Sequence, residues 1–294
     1  MKKIFQILAG VLLIIYVLLS LLSFKSGYSA ERQLWGINRS SSYIASRLES
    51  TPEYKINQVI DKYHAFIKKY HDTVYAERAQ LSLGDLSALR KNYPEARAEY
   101  QKALGANEDI SAQAEYDIAK TYELEGQWDQ AVDTYKDVMK KYPTTGPGFF
   151  TPMYLVEHSS ASGPSDAYTY ADALAFYKGI AVQNPKSKLE YNAMGMIAIC
   201  QLNQKDWAAT IKTMGEIMLK YPGGKALKES ISSINMLSVT KLHRYDMAID
   251  IYDRFIQKYP NHPADPLLKK MITQLQVLKN KNVVIRTAPQ KQKS

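Results

Sequence analysis

The chain has 294 residues, 46% of them hydrophobic and 23% charged, which is the composition of an ordered protein with enough apolar mass to bury a core. Its net charge of +9 sits at the two ends. Lys2, Lys3 and Lys25 make residues 1–30 basic, seven lysines and arginines after Pro266 meet no acid, and residues 31–265 carry one net negative charge. A neutral body excludes the basic groove that a nucleic-acid binder needs, and a single cysteine excludes an internal disulfide.

Residues 4–24 ("IFQILAGVLLIIYVLLSLLSF") contain no charge over 21 positions. As a helix they would span about 30 Å, the thickness of a bilayer core, and a secretory signal has a shorter apolar region. The spacing predicts a membrane anchor or signal segment over residues 1–30. Gly27 and Ser29 make a passable cleavage site before Ala30, so a cleaved signal stays open beside the uncleaved anchor. Lys2 and Lys3 favour an N-terminus-inside orientation, which exports the rest of the chain. Residues 31–53 follow as a lead-in helix, closed by "TPE" with Pro52 suited to a first helical position.

From residue 54 the sequence repeats itself. The clearest unit is "AQAEYDIAKTYELEGQWDQAVDTYKDVMKKYP", residues 112–143. Its apolar and small residues fall at helical spacing on either side of Gly126, which predicts two antiparallel helices joined by a short turn. Near-copies of its last phrase stand at 66–71 ("FIKKYH"), 217–222 ("IMLKYP") and 255–260 ("FIQKYP"). The phrase suits a helix end: lysines complement the dipole, a tyrosine packs under the turn, and proline stops the helix. It is punctuation in a repeated unit and not an epitope.

Ala119, Tyr122, Gly126, Trp128, Ala131, Tyr135 and Pro143 lie in the pattern of the tetratricopeptide repeat (TPR), which this unit resembles. A second-helix small residue gives the register of six imperfect copies: Val59, Ala96, Ala131, Ala173, Thr210 and Ala248. Four residues later stand Tyr63, Tyr100, Tyr135, Tyr177, Met214 and Tyr252, and turn aromatics recur as Tyr93, Trp128, Trp207 and Tyr245. The expected fold is therefore all-α: a TPR α-solenoid of about six helix-turn-helix repeats over residues 54–265. The stretch "SSASGPSD" (159–166) reads as an insertion between the helices of the fourth repeat. A capping helix is expected over 266–280 and a disordered basic tail over 281–294, the tail being a candidate contact with an anionic surface.

Resemblance to this family implies that the first helices of the repeats line a concave face that grips peptides or protein segments. In that register the face carries Arg78, Leu81, Asp85 and Ala88, then Gln113, Tyr116, Lys120 and Glu123, and further along Asn192, Ile199, Ser233 and Leu237. Partner-binding candidates among these are Arg78, Asp85, Gln113, Tyr116, Lys120, Glu123 and Asn192. TPR domains that clamp a C-terminal carboxylate place Lys and Asn at positions held here by Leu81 and Asp85, or by Tyr116 and Lys120, so that clamp is not written.

No catalytic, metal-binding or cofactor-binding constellation assembles. The five histidines lack metal-ligand spacing, and Cys200 sits on an apolar stripe as a buried, inert thiol. Repeats ending in "KYP" behind an export segment resemble those of bacterial envelope TPR proteins of the Tol-Pal accessory, outer-membrane-assembly and translocon-associated types. The resemblance implies a non-enzymatic, membrane-anchored scaffold or assembly factor for protein partners in the cell envelope. The anchored form would be single-pass in the inner membrane with its C-terminal domain periplasmic; the cleaved form would be periplasmic or secreted. A second reading is a chaperone-like accessory component of protein export or outer-membrane protein biogenesis.

Overall fold

The structure is a computed structural model that describes residue 13, residues 27–162 and residues 168–287. The expected anchor therefore falls outside the described residues, apart from residue 13 and the short stretch that begins the first helix. No helix among the described residues is long and apolar enough to cross a membrane. Those residues form thirteen α-helices and no strand. In order they are α1 (Gly27–Ala45), α2 (Glu53–Lys69), α3 (Val74–Leu89), α4 (Tyr93–Lys102), α5 (Glu108–Leu124), α6 (Trp128–Lys141) and α7 (Gly146–Ser162). Then follow α8 (Tyr170–Gln183), α9 (Lys188–Asn203), α10 (Trp207–Lys220), α11 (Gly224–Met236), α12 (Tyr245–Lys258) and α13 (Asp265–Thr287).

Each hairpin closes on the predicted register. Val59, Ala96, Ala131, Ala173, Thr210 and Ala248 are all buried, at 0 to 4% exposure. Small residues are needed there because the two helices of a hairpin approach closely. At Gly84, opposite Tyr100, an added Cβ would lie 2.5 Å from the ring. The following tyrosines, Tyr63, Tyr100, Tyr135, Tyr177 and Tyr252, are buried at 0 to 3%, and Met214 takes that place in the fifth hairpin. Burying one such side chain contributes roughly 1.5–3 kcal/mol, so these positions anchor the core.

Turns follow one rule that the sequence hides. The turn aromatics Tyr93, Trp128, Trp207 and Tyr245 each open a helix. Two residues before each, the backbone turns left-handed: Lys91 (φ 61), Gly126 (φ 77), Lys205 (φ 60) and His243 (φ 52). Glycine is the natural occupant of such a C-terminal cap, and only one repeat uses it. Helix starts are capped by side chains: Asn107 accepts from the Ile110 amide at 3.0 Å, Ser187 from Glu190 at 3.0 Å and Asp206 from Ala209 at 3.0 Å. Thr169 and Asp172 form a reciprocal capping box at the start of α8.

The repeated helix-end phrase is a clasp. Lys141 Nζ donates to both carboxylate oxygens of Glu115, at 3.0 and 3.1 Å, and the Tyr142 hydroxyl to Oε1 at 3.3 Å. Lys220 donates to Glu190 at 2.6 Å and Tyr221 to its other oxygen at 2.9 Å. Both glutamates are buried, so without these partners each carboxylate would be stranded. Lys258 and Tyr259 hook instead onto the backbone carbonyl of Leu219, at 2.8 and 2.6 Å. In the first copy Lys69 reaches Gln33 at 3.4 Å and Tyr70 reaches Ser29 at 3.5 Å. The phrase is therefore tertiary wiring as well as punctuation.

The chain divides into two compact units, Met1–Thr151 and Pro152–Ser294. The division falls inside α7 at Pro152, which has no N–H to offer the carbonyl one turn back. In the first unit α1, α3 and α5 lie side by side and pair with α2, α4 and α6; in the second α9 packs between α8 and α10, and α12 against α13. Two boundaries differ from expectation. Helix α7 runs through Ser162, so part of the expected insertion is helical, and residues 163–167 lie outside the described residues. Helix α13 runs to Thr287, because no glycine or proline interrupts the chain between Pro266 and Pro289.

Candidate functional site

The buried tyrosines also fix the polar face of the first helices. A tyrosine hydroxyl buried without a partner costs free energy, and four of these tyrosines cross their hairpins to an acceptor. Tyr63 donates to Asn38 Oδ1 at 2.8 Å, Tyr100 to Asp85 Oδ1 at 2.9 Å, Tyr135 to Glu123 Oε2 at 3.0 Å and Tyr252 to Asn235 Oδ1 at 3.0 Å. A core position thus holds a polar side chain in place on α1, α3, α5 and α11.

The densest polar group lies on α3 and α5. Asp85 is exposed on α3, with enough protein around it to desolvate its carboxyl. Desolvation pushes its carboxyl above the usual range, while the Tyr100 hydroxyl and the charge of Lys120 pull it back. Asp117, one repeat along, is pushed up to about 6 by desolvation and by the Asp85 charge, against the Gln113 hydrogen bond and Lys120. Gln113 Nε2 donates to Asp117 Oδ2 at 2.9 Å. Desolvation also raises the hydroxyls of Tyr100 and Tyr116, with the nearby carboxylates adding to the effect. Two carboxyls from neighbouring repeats and one exposed lysine form a mixed-charge recess. One of the carboxyls changes charge near pH 6.

Of the sequence candidates, Asp85, Gln113 and Lys120 come together here. Tyr116 borders the group, but its ring packs against Tyr135 at 5.1 Å, so it shares a packing role. Glu123 is held by Tyr135. Arg78 is exposed, its guanidinium 5.8 Å above the Tyr75 ring. Asn192 is exposed on α9, in the second unit. Leu237, expected on the face, is buried at 1% exposure. It continues the buried stripe of Leu227, Ser230, Ile231 and Ile234 at helical spacing, and a π-helical stretch, Leu237–Leu242, begins there.

Asp117, Asn38 and Asn235 were missed. The signal was present for two of them, since a second-helix tyrosine in the register needs an acceptor on the first helix. Asp117 has no such sequence signature. Cys200 is fully buried against Met153, its Sγ 3.7 Å from the Met153 Sδ, and burial pushes the thiol up to about 11, away from nucleophile chemistry.

Residues 7–143 match a tetratricopeptide repeat-like domain and residues 241–262 a tetratricopeptide repeat. Among solved structures, similarity extends to YrrB, described as a TPR protein with an unusual peptide-binding site. That match has 17% identity and a TM-score of 0.36, and covers 71% of this chain and 97% of that one. The TPR domain of P58(IPK) matches at 13% identity and a TM-score of 0.29, covering 85% of this chain and 67% of that one. No curated protein sequence matches. The buried repeat register and the paired helices agree with these two family matches, which identify residues 7–143 and 241–262 as tetratricopeptide-repeat segments.

Proposed function

We propose that the chain is a non-enzymatic scaffold or assembly factor of the cell envelope, anchored by residues 4–24, that binds protein segments in the recess between α3 and α5. The observation that carries this reading is that Asp85 and Glu123 are held in place by core tyrosines, so their display is built into the fold. A preorganised set of side chains loses less entropy when a ligand arrives. Two carboxyls beside one lysine suit a polar or basic segment and repel a C-terminal carboxylate. The 21-residue uncharged stretch supports the anchor, and its orientation would place the repeats outside the cytoplasm.

The test is crosslinking capture from native membranes with the intact chain and its Lys120→Glu and Asp85→Asn/Asp117→Asn variants. Specific partners should fall at least tenfold in both variants, about 1.4 kcal/mol, with unchanged helical circular dichroism. Equal capture by all three proteins would remove the recess as the binding surface.

A further inference from the structure

Helix α1 buries one face in the core of the first unit through Ala30, Leu34 and Ile44. Its other face exposes large aromatics: Tyr28 is 74% exposed, Trp35 63% and Tyr43 60%. Arg32 and Arg39 stand between them and Arg47 after them, all exposed. In chain order Tyr28, Arg32, Trp35, Arg39 and Tyr43 stand at spacings of three or four residues, which keeps them along one side of α1, and Arg47 follows just past its end. The arginines lean on the rings: Arg39 lies 5.6 Å above Trp35, and Arg47 lies 4.8 Å above Tyr43 and donates to its hydroxyl at 2.6 Å.

We propose that this strip lies on an anionic lipid bilayer, with the aromatic rings at the level of the headgroups and the arginines on lipid phosphates. Three features support that occupant. Tryptophan and tyrosine favour the membrane–water boundary, where one end of the ring is dry and the other wet. The strip ends in a cavity of about 490 Å³ whose lining includes Arg39, Arg47 and Lys55, hydroxyls of Tyr43 and Thr51, and no carboxylate. That chemistry complements a phosphate headgroup. The uncharged segment ends at Phe24 and α1 begins at Gly27, so only Lys25 and Ser26 separate them. Two extended residues reach about 7 Å, no farther than the headgroup layer of the same leaflet. The inference rests on the proposed anchor: a chain anchored there cannot carry the start of α1 clear of the interface.

The experiment uses the full-length chain with phosphatidylcholine–phosphatidylglycerol vesicles in which the acyl chains carry bromine, a contact quencher of tryptophan. The uncharged segment has no tryptophan, so the difference between the wild type and Trp35→Phe, which keeps Trp128 and Trp207, reports on Trp35. Tryptophan fluorescence should be quenched in the wild type and not in Trp35→Phe. Reversing Arg32, Arg39 and Arg47 to Glu should lower the quenched fraction at least ~tenfold while circular dichroism stays unchanged. Flotation of the vesicles reads the anchor separately. A chain that floats without quenching overturns the strip and leaves the anchor standing, whereas a chain that does not float overturns both. Quenching indifferent to the three charge reversals overturns the anionic-lipid assignment. Crosslinking from position 35 to protein in native membranes would overturn it in favour of a protein partner.

Discussion

In the hairpin α5–α6, Lys141 and Tyr142 close on the buried Glu115; in α9–α10, Lys220 and Tyr221 close on the buried Glu190. At the outer end the two hairpins are the same machine. At the inner end they diverge. Tyr135 in the first ties down Glu123, beside Asp117 and Lys120. In the second, Met214 replaces the tyrosine, and Thr213 donates to the buried Gln201 at 2.8 Å. There α9 presents Asn192, Ile199 (41% exposed) and Leu202 (38% exposed). The comparison separates two demands on a repeat. The clasp satisfies a carboxylate that folding buries, so its partners must recur; the inner face meets solvent, so its chemistry is free to differ between copies.

The strongest way to break the comparison is to remove what joins core to surface. Tyr135→Ala deletes a fully buried ring and should cost about 3–5 kcal/mol by thermal or denaturant unfolding. Tyr135→Phe keeps the ring and should cost only about 1 kcal/mol while removing the Tyr135 hydrogen bond to Glu123. A large loss in Tyr135→Phe would mean that the hydroxyl, more than the packing, holds this hairpin together.

Next in size is the clasp. Glu115→Ala and Glu190→Ala each strip a lysine and a tyrosine of their acceptor, and Glu190 also releases the Lys186 amide, which donates to it at 2.8 Å. Each should lower unfolding free energy by about 2 kcal/mol, reduced from the cost of a fully buried pair because the lysines are half-exposed. If the clasps are equivalent the two losses will match; a null effect at either site would show that clasp to be ornamental.

Acidity sharpens the contrast. Lys220 first, then the Lys186 amide and Tyr221, holds Glu190 below the usual carboxylate range against the opposing effect of burial. Its folded value lies below its unfolded value, so its stabilisation is present above the unfolded value of about 4.3 and is lost as pH falls through the folded one. Asp117 behaves oppositely. Its folded value near 6 lies above the unfolded value of about 3.9, so the fold bears a penalty at neutral pH that is relieved as pH falls from 6 towards 4. Asp117→Asn should therefore stabilise the protein by about 1 kcal/mol at pH 7 and by nothing at pH 4. Melting curves of the variant and wild type across that range would check it, and a gain independent of pH would refute the assignment.

The smallest effect is at the turns. Lys91→Gly and Lys205→Gly relieve a left-handed backbone at a non-glycine residue, which costs about 1–2 kcal/mol, but loosen the unfolded chain. A net gain of about 0.5 kcal/mol is expected at each, whereas Gly126→Ala should lose about 1 kcal/mol at the equivalent place.

What the sequence determined by itself was the hairpin register. Ala96, Ala131 and Ala248, the tyrosines four residues on and the aromatic at each helix start are local choices imposed by helical periodicity and close packing, and they can be read from spacing. The helix-end phrase was readable as a stop signal for the same reason. Tertiary structure alone decided what that phrase closes on, because Glu115 and Glu190 stand 26 and 30 residues before their lysines and no spacing rule links them. It alone gathered Asp85 and Asp117 from different helices beside Lys120 and drew the unit boundary at Pro152. Periodicity records which face of a helix is buried; which charges then share a recess depends on how far apart the folded helices lie, and that distance is set by packing.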